Sequence, residues 1–380
     1  MVMPITQKRV LVAATADTST AGAGRDALPV AVIGAGPSGL AAMRAVSKRG
    51  LGVVGFEAHN DVGGLWNIAN PDSTVYESAH LISSRTTTEF AEFPMHGGTP
   101  DYPGHRHLLR YFRNYAAHFG LTGRIRFGTR VTAAVPTDDG GWQLSWQGPD
   151  GAGSGRFGAV VVASGTLHTP YLPSFAGEFT GDPARFGFPK PDYRIYESHP
   201  VVNSLILHHL GHGDLSVKPD IERLEGSTVH FRDGTQGQYD LLLCATGYVL
   251  SYPFLSRDLL GWAGASPQLY LNILSRQARN LMVVGMVEAS GLGWEGRYRQ
   301  AELVAAYLAA QQDNPTAAAA FDAAVRGPSP DVTGGYRYLG LDRMSYYVNK
   351  DAYRAELEAH LSRFAGTSAH ADRAPVEVQQ

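Results

Sequence analysis

The sequence predicts an α/β fold with a parallel sheet, and three features near the N-terminus carry that prediction. The first is a short apolar run, VAVI at residues 30–33, of the kind found in strands that are buried on both faces. The second is the glycine-rich turn GAGPSG at residues 34–39, which leads into the helical pattern LAAMRAV. The third is another apolar run, at residues 53–56, which ends in Glu57. Strand, glycine turn, helix, strand and acid in this order are typical of a Rossmann-like dinucleotide-binding unit.

Each glycine of the turn has a distinct expected role. Gly34 allows the tight turn, Gly36 lets the backbone approach a pyrophosphate, and Gly39 lets the helix pack closely against the sheet. Pro37 and Ser38 lie at the helix N-terminus, where free N–H groups and the positive end of the helix dipole favour a phosphate. We therefore predict that this turn binds the diphosphate of a dinucleotide.

Glu57 is the predicted ribose ligand. It follows the glycines by about twenty residues, the spacing at which a carboxylate can accept hydrogen bonds from the adenosine ribose hydroxyls. A 2′-phosphate would meet this negative charge, so NADP is disfavoured at this site. The spacing by itself does not distinguish NAD from FAD.

The residues after Glu57 resemble a known family. The motif DVGGLW ends in Gly64, Leu65 and Trp66. The combination of GxGxxG, an acid and GGxW is similar to the FAD site of the flavin-containing monooxygenases and their Baeyer–Villiger relatives, the class B FAD-dependent oxygenases. Further blocks that look like this family follow in the same order: FAEFPM, ATGY and NLMVVG. The resemblance covers most of residues 30–308.

The resemblance implies FAD as the cofactor and implies several contacts to it. Gly64, Leu65 and Trp66 are expected near the isoalloxazine ring, and the backbone near Val131 is expected beside the adenine. Three later positions of the family blocks are also expected close to the cofactor: Ala245, Gly285 and Gln300.

The predicted catalytic residues are Ser83, Arg85 and Trp294. Trp294 precedes a helix at about 295–310, whose N-terminus is expected to face the flavin pyrimidine edge and to stabilise reduced flavin by its dipole. Ser83 and Arg85 lie in a block that the family places beneath the flavin ring. The family usually has an asparagine just before its paired serines, whereas this chain has Ile82. A loop turn with a surface arginine is the alternative interpretation of this block.

The second nucleotide-binding domain of the family, which binds NADPH, is predicted to be largely absent. No signature histidine and no second GxGxxG follow residue 182, so NADPH binding is doubtful. The predicted fold is thus one Rossmann-like FAD-binding lobe with a parallel sheet and a small β-meander. The predicted organisation is a flexible extension (1–27), the first part of the lobe (28–181), a short remnant (182–226), the second part of the lobe (227–365) and a disordered tail (366–380).

Composition and charge disfavour several other classes of protein. A net charge of −3 and a pI near 6.5 provide no basic footprint for nucleic acid or an anionic membrane. No apolar run approaches the length of a membrane span. The single cysteine, Cys244, excludes an internal disulfide and a cysteine-based metal site. Its apolar neighbours predict a buried, inert thiol in a strand at 239–245, and a cytoplasmic location fits. His105, His107 and His118 lack ligand partners at useful spacings, so no metal site is predicted.

Three functions remain open from the sequence. The first is an oxygenase that acts on a small molecule through a C4a-(hydro)peroxyflavin, as the resemblance implies, with electrons from a separate flavin reductase, from the substrate or from loosely bound nicotinamide. The second is an FAD enzyme without oxygenation: an oxidase, a dehydrogenase, or a cyclase or isomerase in which the flavin is structural. The third is a noncatalytic flavoprotein.

Overall fold

The computed structural model describes residues 28–170, 197 and 205–364. The predicted extension at 1–27 and the predicted tail at 366–380 lie outside these residues. Most of the predicted remnant before residue 205 also lies outside them. Within the described residues, no helix combines the length and the apolar character needed to cross a bilayer.

The described chain begins with a β-α-β unit and continues with runs of strands and of helices. The first described stretch contains β1 (Val30–Ile33), α1 (Pro37–Lys48), β2 (Val53–Phe56), α2 (Arg85–Thr88), α3 (His105–His118), β3 (Ile125–Arg126), β4 (Arg130–Pro136), β5 (Trp142–Gly148), β6 (Gly151–Phe157) and β7 (Ala159–Val162). The second contains α4 (Leu205–His212), β8 (Ile221–Glu225), β9 (Thr228–Phe231), β10 (Gln236–Gln238), β11 (Trp262–Ala263), β12 (Ser266–Pro267), β13 (Leu281–Val283), α5 (Gly293–Asp313), α6 (Pro315–Arg326) and α7 (Lys350–Arg363).

Five parallel strands form the central sheet, in the order β13-β7-β1-β2-β3. β1 lies between β2 and β7, so Ile33 is aligned with Phe56 on one side and with Val162 on the other. Val283 of β13 is aligned with Val162 in turn, and the carboxyl ends of four strands therefore meet at one edge. The strand order reverses between β1 and β7, and α/β sheets bind ligands in the crevice outside such a switch point. The predicted α/β fold with a parallel sheet is confirmed.

The two faces of the sheet are covered by different layers. Alternate residues of a strand point to opposite faces. Val30 and Val32 accordingly belong to the core cluster that contains α1 and α5, whereas Ala31 and Ile33 belong to the cluster that contains the meander β4-β5-β6. In the meander layer, Trp142 is fully buried. The predicted small β-meander is present, with β6 as a further strand that the glycine-rich sequence GAGSGRF did not indicate.

The five-stranded sheet is the one parallel sheet in the described part of the chain. The other sheets are antiparallel: the meander, the three strands β10-β9-β8 and the pair β11-β12. The architecture of residues 28–170 and 205–364 is therefore a single Rossmann-like lobe with small antiparallel additions.

The predictions for residues 239–245 are wrong. This segment forms no strand, and the Cys244 side chain is exposed rather than buried. The run LLLCA has the composition of a strand that is buried on both faces, but no strand in the described residues pairs with it.

Candidate functional site

A cavity of about 610 Å³ lies at the edge of the sheet where the carboxyl ends of the parallel strands meet. Its floor is formed by the last residue of β1, the last residue of β2, and the residues that follow β7 and β13: Ile33, Phe56, Ala163 and Gly285. The volume lies within the range of roughly 300–1,000 Å³ that is usual for small-molecule and cofactor sites.

The glycine turn occupies one wall of this cavity. Gly34 has a φ of +108°, and a Cβ at this position would lie 2.4 Å from the Ala163 carbonyl oxygen. Gly34 therefore turns the chain where a side chain would collide with the neighbouring strand end. Gly39 cannot carry a side chain either, because a Cβ there would lie 1.9 Å from the Gly34 carbonyl oxygen. This contact sets how closely α1 packs against the sheet.

The N-terminus of α1 opens onto the same wall. Gly36 caps the helix without any side-chain hydrogen bond, and Pro37 occupies its first turn. Gly36, Pro37 and Ser38 all line the cavity. The first N–H groups of a helix have no partner within the helix, so an anion in the cavity can accept their hydrogen bonds.

Glu57 links the end of β2 to the glycine turn. Its Oε2 accepts a hydrogen bond from the Ala35 N–H at 2.7 Å, and its Oε1 accepts one from the His59 N–H at 3.0 Å. The residue is only 6% exposed but still lines the cavity. Burial raises the pKa of the Glu57 carboxyl above its usual range, and the two N–H donors offset part of this effect. A ligand that donates hydroxyl hydrogens to Glu57 would further stabilise its ionised form.

A polar network that sequence reasoning missed closes the cavity beside Glu57. The carboxylate of Asp72 lies 3.1 Å from His59 Nε2 and accepts a hydrogen bond from Arg130 at 3.3 Å. Partial burial opposes ionisation of Asp72, but the hydrogen bonds from Arg130 and His59 outweigh it and lower its pKa. His168 lines the cavity here as well, and burial lowers the pKa of its imidazole. Val131, the predicted neighbour of an adenine, follows Arg130 on this wall.

Aromatic residues form the far wall of the cavity. Gly64, Leu65 and Trp66 form a short 3₁₀ turn, and all three line the cavity. The ring centroids of Trp66 and Trp294 are 6.3 Å apart in an edge-to-face arrangement. Trp294 also stacks on Tyr111 with 6.0 Å between centroids, so its indole is held by the core beneath the cavity. The structure therefore brings together the predicted GGxW motif and the predicted Trp294.

The N-terminal end of α5 adds a positive charge that the sequence analysis did not identify. Arg297 lines the cavity next to Trp294, and its guanidinium donates a hydrogen bond to the Gly293 carbonyl oxygen at 3.0 Å. No carboxylate in the described part of the chain lies within salt-bridge distance of Arg297. The N-terminal end of a helix carries a partial positive charge, to which this guanidinium adds.

Gln300 lies behind the cavity wall rather than in it. Its Oε1 accepts a hydrogen bond from the Gly285 N–H at 2.9 Å, and its amide donates to the Tyr353 hydroxyl at 2.7 Å. Tyr353 in turn donates to the Leu271 carbonyl oxygen at 2.6 Å. Gln300 and Tyr353 are fully buried. Gln300 thus positions Gly285, which lines the cavity, and does not itself line it.

Three other predicted site residues lie outside the cavity. Ser83 forms a hydrogen bond with the Thr88 hydroxyl, and Arg85 donates to the carbonyl oxygens of Met95 and His96. These contacts hold the loop between β2 and α3. Neither the Ser83 hydroxyl nor the Arg85 guanidinium lines the cavity. Ala245 is exposed in the segment that forms no strand.

Comparison with known proteins supports one family for the whole arrangement. The family model described as "Flavin-binding monooxygenase-like" matches residues 27–185 and 180–322. Flavin-containing monooxygenase 5 of Oryctolagus cuniculus is 24% identical over 373 residues, which covers 69% of this chain and 70% of the rabbit protein. The Arabidopsis thaliana protein FMO GS-OX-like 8 is 32% identical over 288 residues, with coverage of 60% of this chain and 62% of the plant protein.

Two solved structures share the fold. The S-allyl-L-cysteine S-oxygenase of Allium sativum superposes with a TM-score of 0.62 at 19% identity, covering 90% of this chain and 89% of that chain. Tmm of a Pelagibacter strain superposes with a TM-score of 0.61 at 21% identity, covering 88% and 89%. The match to the family model over more than half of the sequence, on a fold shared with these oxygenases, shows that this chain belongs to the flavin-binding monooxygenase-like family of FAD-dependent oxidoreductases.

Proposed function

We propose that the protein binds FAD in this cavity and uses it to transfer one oxygen atom from dioxygen to a small molecule, with electrons supplied from outside the chain. The observation that carries the proposal is the convergence of the Gly34–Gly36 turn, Glu57 and the aromatic turn ending at Trp66 on one cavity. The diphosphate, the adenosine ribose and the isoalloxazine ring of FAD require these three environments.

The residues present fit FAD. The glycine turn and the free N–H groups of α1 suit the diphosphate, because Gly34 and Gly36 carry no side chain that would keep an anion away from the backbone. Glu57 retains acceptor capacity for ribose hydroxyls, since an ionised carboxylate can accept more than its two backbone bonds. Val131, Trp66 and Trp294 all line the cavity; Val131 would border the adenine, and Trp66 with Trp294 would border the ring.

The N-terminal end of α5 would tune the bound flavin. Arg297 and the helix N-terminus place positive charge on the wall that also carries Trp294. Negative charge at N1 and O2 of a reduced flavin would be stabilised there. When bound, FAD would supply two electrons and a reactive centre for the reaction with dioxygen. In the overall reaction one oxygen atom enters the substrate and the other leaves as water, with two electrons and two protons from the external donor.

We propose that the electrons that reduce the flavin do not come from a dedicated nicotinamide-binding domain of this chain. The described residues contain one parallel sheet, and its switch point is occupied by the cavity assigned to FAD. We propose that NADPH binds weakly and that a separate flavin reductase, the substrate or loosely bound nicotinamide reduces the flavin. A cytoplasmic enzyme acting on a soluble small molecule is consistent with this arrangement.

One observation favours a second candidate function, an FAD enzyme without oxygenation. Ile82 stands where the family usually has an asparagine, and its side chain is 89% exposed. Ser83 and Arg85 are engaged in local hydrogen bonds, so none of these three residues reaches the cavity. Polar groups that protect an oxygenated flavin would then have to come from elsewhere.

An isotope experiment distinguishes the two functions. The FAD-loaded protein is reduced with dithionite under anaerobic conditions, freed of excess reductant and mixed with ¹⁸O₂ and a panel of thioethers, amines and ketones. The proposed function predicts one ¹⁸O atom in a product and the second in water. Quantitative formation of hydrogen peroxide, with no labelled product and with turnover of a substrate in the absence of oxygen, would instead establish the second function.

The electron source is tested separately by mixing the oxidised protein with excess NADPH in an anaerobic stopped-flow instrument. We expect the long-wavelength flavin absorbance to persist. Rapid bleaching would show that a nicotinamide site exists and that the enzyme is self-contained.

A further inference from the structure

Two buried polar atoms of residues that line the flavin cavity have no partner within the described part of the chain. They are the hydroxyl oxygen of Ser164 and the Nδ1 atom of His168. Both residues belong to the loop that follows β7. Buried polar atoms are normally hydrogen-bonded, because an unmade bond leaves the loss of their hydration uncompensated. A ligand in the cavity is therefore expected to supply the missing partners.

The protonation state of His168 decides what its Nδ1 atom can do. Burial lowers the pKa of the imidazole, so the ring is neutral at pH 7. A neutral imidazole has one N–H donor and one acceptor nitrogen. The Ser251 backbone accepts a hydrogen bond from the ring, and this bond opposes the lowering of the pKa. Because Nδ1 has no partner, we assign the N–H to Nε2. Nδ1 is then a buried acceptor that lacks a donor.

Charged neighbours place His168 at the adenosine end of the proposed FAD site. Asp72 and Arg130 both lie close enough to affect the His168 pKa, which Asp72 raises and Arg130 lowers. Arg130 donates to the Asp72 carboxylate at 3.3 Å and donates nothing to His168 Nδ1. Val131, the expected neighbour of the adenine, follows Arg130 and lines the same cavity. The unpartnered acceptor is therefore expected to face the adenosine rather than the flavin ring.

The adenosine of FAD carries two kinds of hydrogen-bond donor. The ribose hydroxyls already have an acceptor in Glu57, which lines the cavity. The other donor is the 6-amino group of adenine, whose N–H bonds suit a neutral acceptor such as an imidazole nitrogen. Ser164 lies against the glycine turn, with its Cα 3.2 Å from the position of a Cβ on Gly34, so its hydroxyl is left for the diphosphate.

We propose that His168 Nδ1 accepts a hydrogen bond from the 6-amino group of adenine and makes the cavity selective for adenine dinucleotides. The inference rests on the proposed FAD site and adds to it a residue that reads the base. A hypoxanthine base has a carbonyl oxygen in place of the amino group. Two acceptors would then face each other, and Nδ1 would stay buried without a donor. A site built around such an N–H group discriminates strongly against an analogue that lacks it.

Reconstitution of the full-length apoprotein with FAD and with flavin hypoxanthine dinucleotide tests the proposal. The two cofactors differ only in the base, and flavin fluorescence measures the Kd of each. We expect FAD to bind roughly 10- to 100-fold more tightly, the effect of one buried unmade hydrogen bond. ADP and IDP, used as competitors of FAD, carry the same two bases without the flavin. Their inhibition constants should differ by a similar factor.

Variants at position 168 show whether this residue carries the selectivity. His168→Phe removes the acceptor and should bind the two dinucleotides with nearly equal Kd, mainly by weakening FAD. The amide oxygen of His168→Asn can accept in place of Nδ1, so this variant should keep part of the preference. His80→Phe is the matched control, because His80 is exposed and does not line the cavity. If the phenylalanine variant does not fold, the wild-type and His168→Asn ratios decide the question.

The outcomes separate this inference from the proposed function. Equal Kd values for the two dinucleotides in the wild type overturn the selectivity and leave the FAD site intact. A preference for FAD that persists unchanged in His168→Phe shows that another group reads the base, and overturns the role of His168. A wild type that retains neither dinucleotide overturns the proposed function and this inference with it.

Discussion

The Ala35 N–H donates a 2.7 Å hydrogen bond to the Glu57 carboxylate across 22 residues of sequence. This bond ties the glycine turn, the predicted phosphate site, to the predicted ribose ligand. Because Ala35 lies between Gly34 and Gly36, a change at Glu57 is expected to affect both the ribose contact and the shape of the turn.

Replacement of Glu57 by arginine is expected to abolish FAD retention, because the guanidinium can accept no hydrogen bond from the Ala35 N–H or from a ribose. Glu57→Gln keeps one acceptor and should weaken FAD binding by roughly 10- to 100-fold, the effect of losing charged hydrogen bonds worth about 1.5–3 kcal/mol. The flavin-to-protein ratio and the Kd from flavin fluorescence measure the effect. Glu77→Gln, at an exposed carboxylate, is the control. A yellow Glu57→Arg protein with unchanged flavin content would contradict the assignment.

FAD affinity is expected to decrease as the pH falls through the raised pKa of Glu57. Burial favours the protonated carboxyl in the apoprotein, whereas ribose hydroxyls donate to the ionised form, so FAD lowers this pKa. The Kd for FAD should rise by up to tenfold per pH unit below the apoprotein pKa of Glu57.

The stability of the apoprotein should show the opposite trend with pH. A raised carboxyl pKa contributes stability below the usual pKa of glutamate, and this contribution is lost as the pH rises through the folded-state value. The FAD Kd and the stability of the apoprotein are measured against pH in the wild type and in Glu57→Gln, which checks the direction of both trends. A wild-type FAD Kd that does not change with pH would exclude the mechanism.

Gly39→Ala is expected to destabilise the fold by at least about 1–3 kcal/mol, since the added Cβ meets a backbone carbonyl that cannot move aside. The shift of α1 should also weaken FAD binding. Gly97→Ala is the matched control, because a Cβ there meets nothing within 4 Å. Thermal unfolding of both apoproteins provides the comparison, and equal melting temperatures would refute the close packing of α1.

Tyr353→Phe is expected to cost about 1–3 kcal/mol, because it leaves the buried Gln300 amide and the Leu271 carbonyl oxygen without their partner. Gln300→Leu removes the acceptor of the Gly285 N–H and should cost a similar amount. Chemical denaturation of the two single variants and the double variant gives the coupling. If the free-energy costs of the two single variants add up to that of the double variant, Tyr353 and Gln300 do not act as one network.

Arg297→Met is expected to make the two-electron midpoint potential of bound FAD about 20–60 mV more negative, since 30 mV corresponds to about 1.4 kcal/mol for two electrons. Removal of the positive charge disfavours the reduced, anionic flavin. Arg297→Lys should retain part of the effect. Arg299→Met on the same helix is the control, because Arg299 pairs with Glu295 and Glu302. Dye-linked reductive titration measures the potential, and an unchanged value in Arg297→Met would remove this residue from the flavin environment.

The sequence by itself determined the N-terminal β-α-β unit of this protein and the turn that follows it. The elements from Val30 to Trp66 follow one another with fixed short spacings, and each is specified by local chemistry: buried β-branched runs, glycines at positions of positive φ or close approach, and an acid at a strand end. A parallel sheet with a switch-point cavity follows almost directly from that order.

Only the tertiary structure decided which residues share the cavity. His59, Asp72 and Arg130 meet although 58 residues separate Asp72 from Arg130, and no local pattern signals such a contact. Gln300 matches a family position, but only the packing of α5 against Tyr353 places it behind Gly285. For Leu241 to Ala245 the sequence specified an apolar strand, yet burial of a strand depends on a partner elsewhere. Whether such a partner strand is present depends on long-range packing, which local sequence chemistry does not encode.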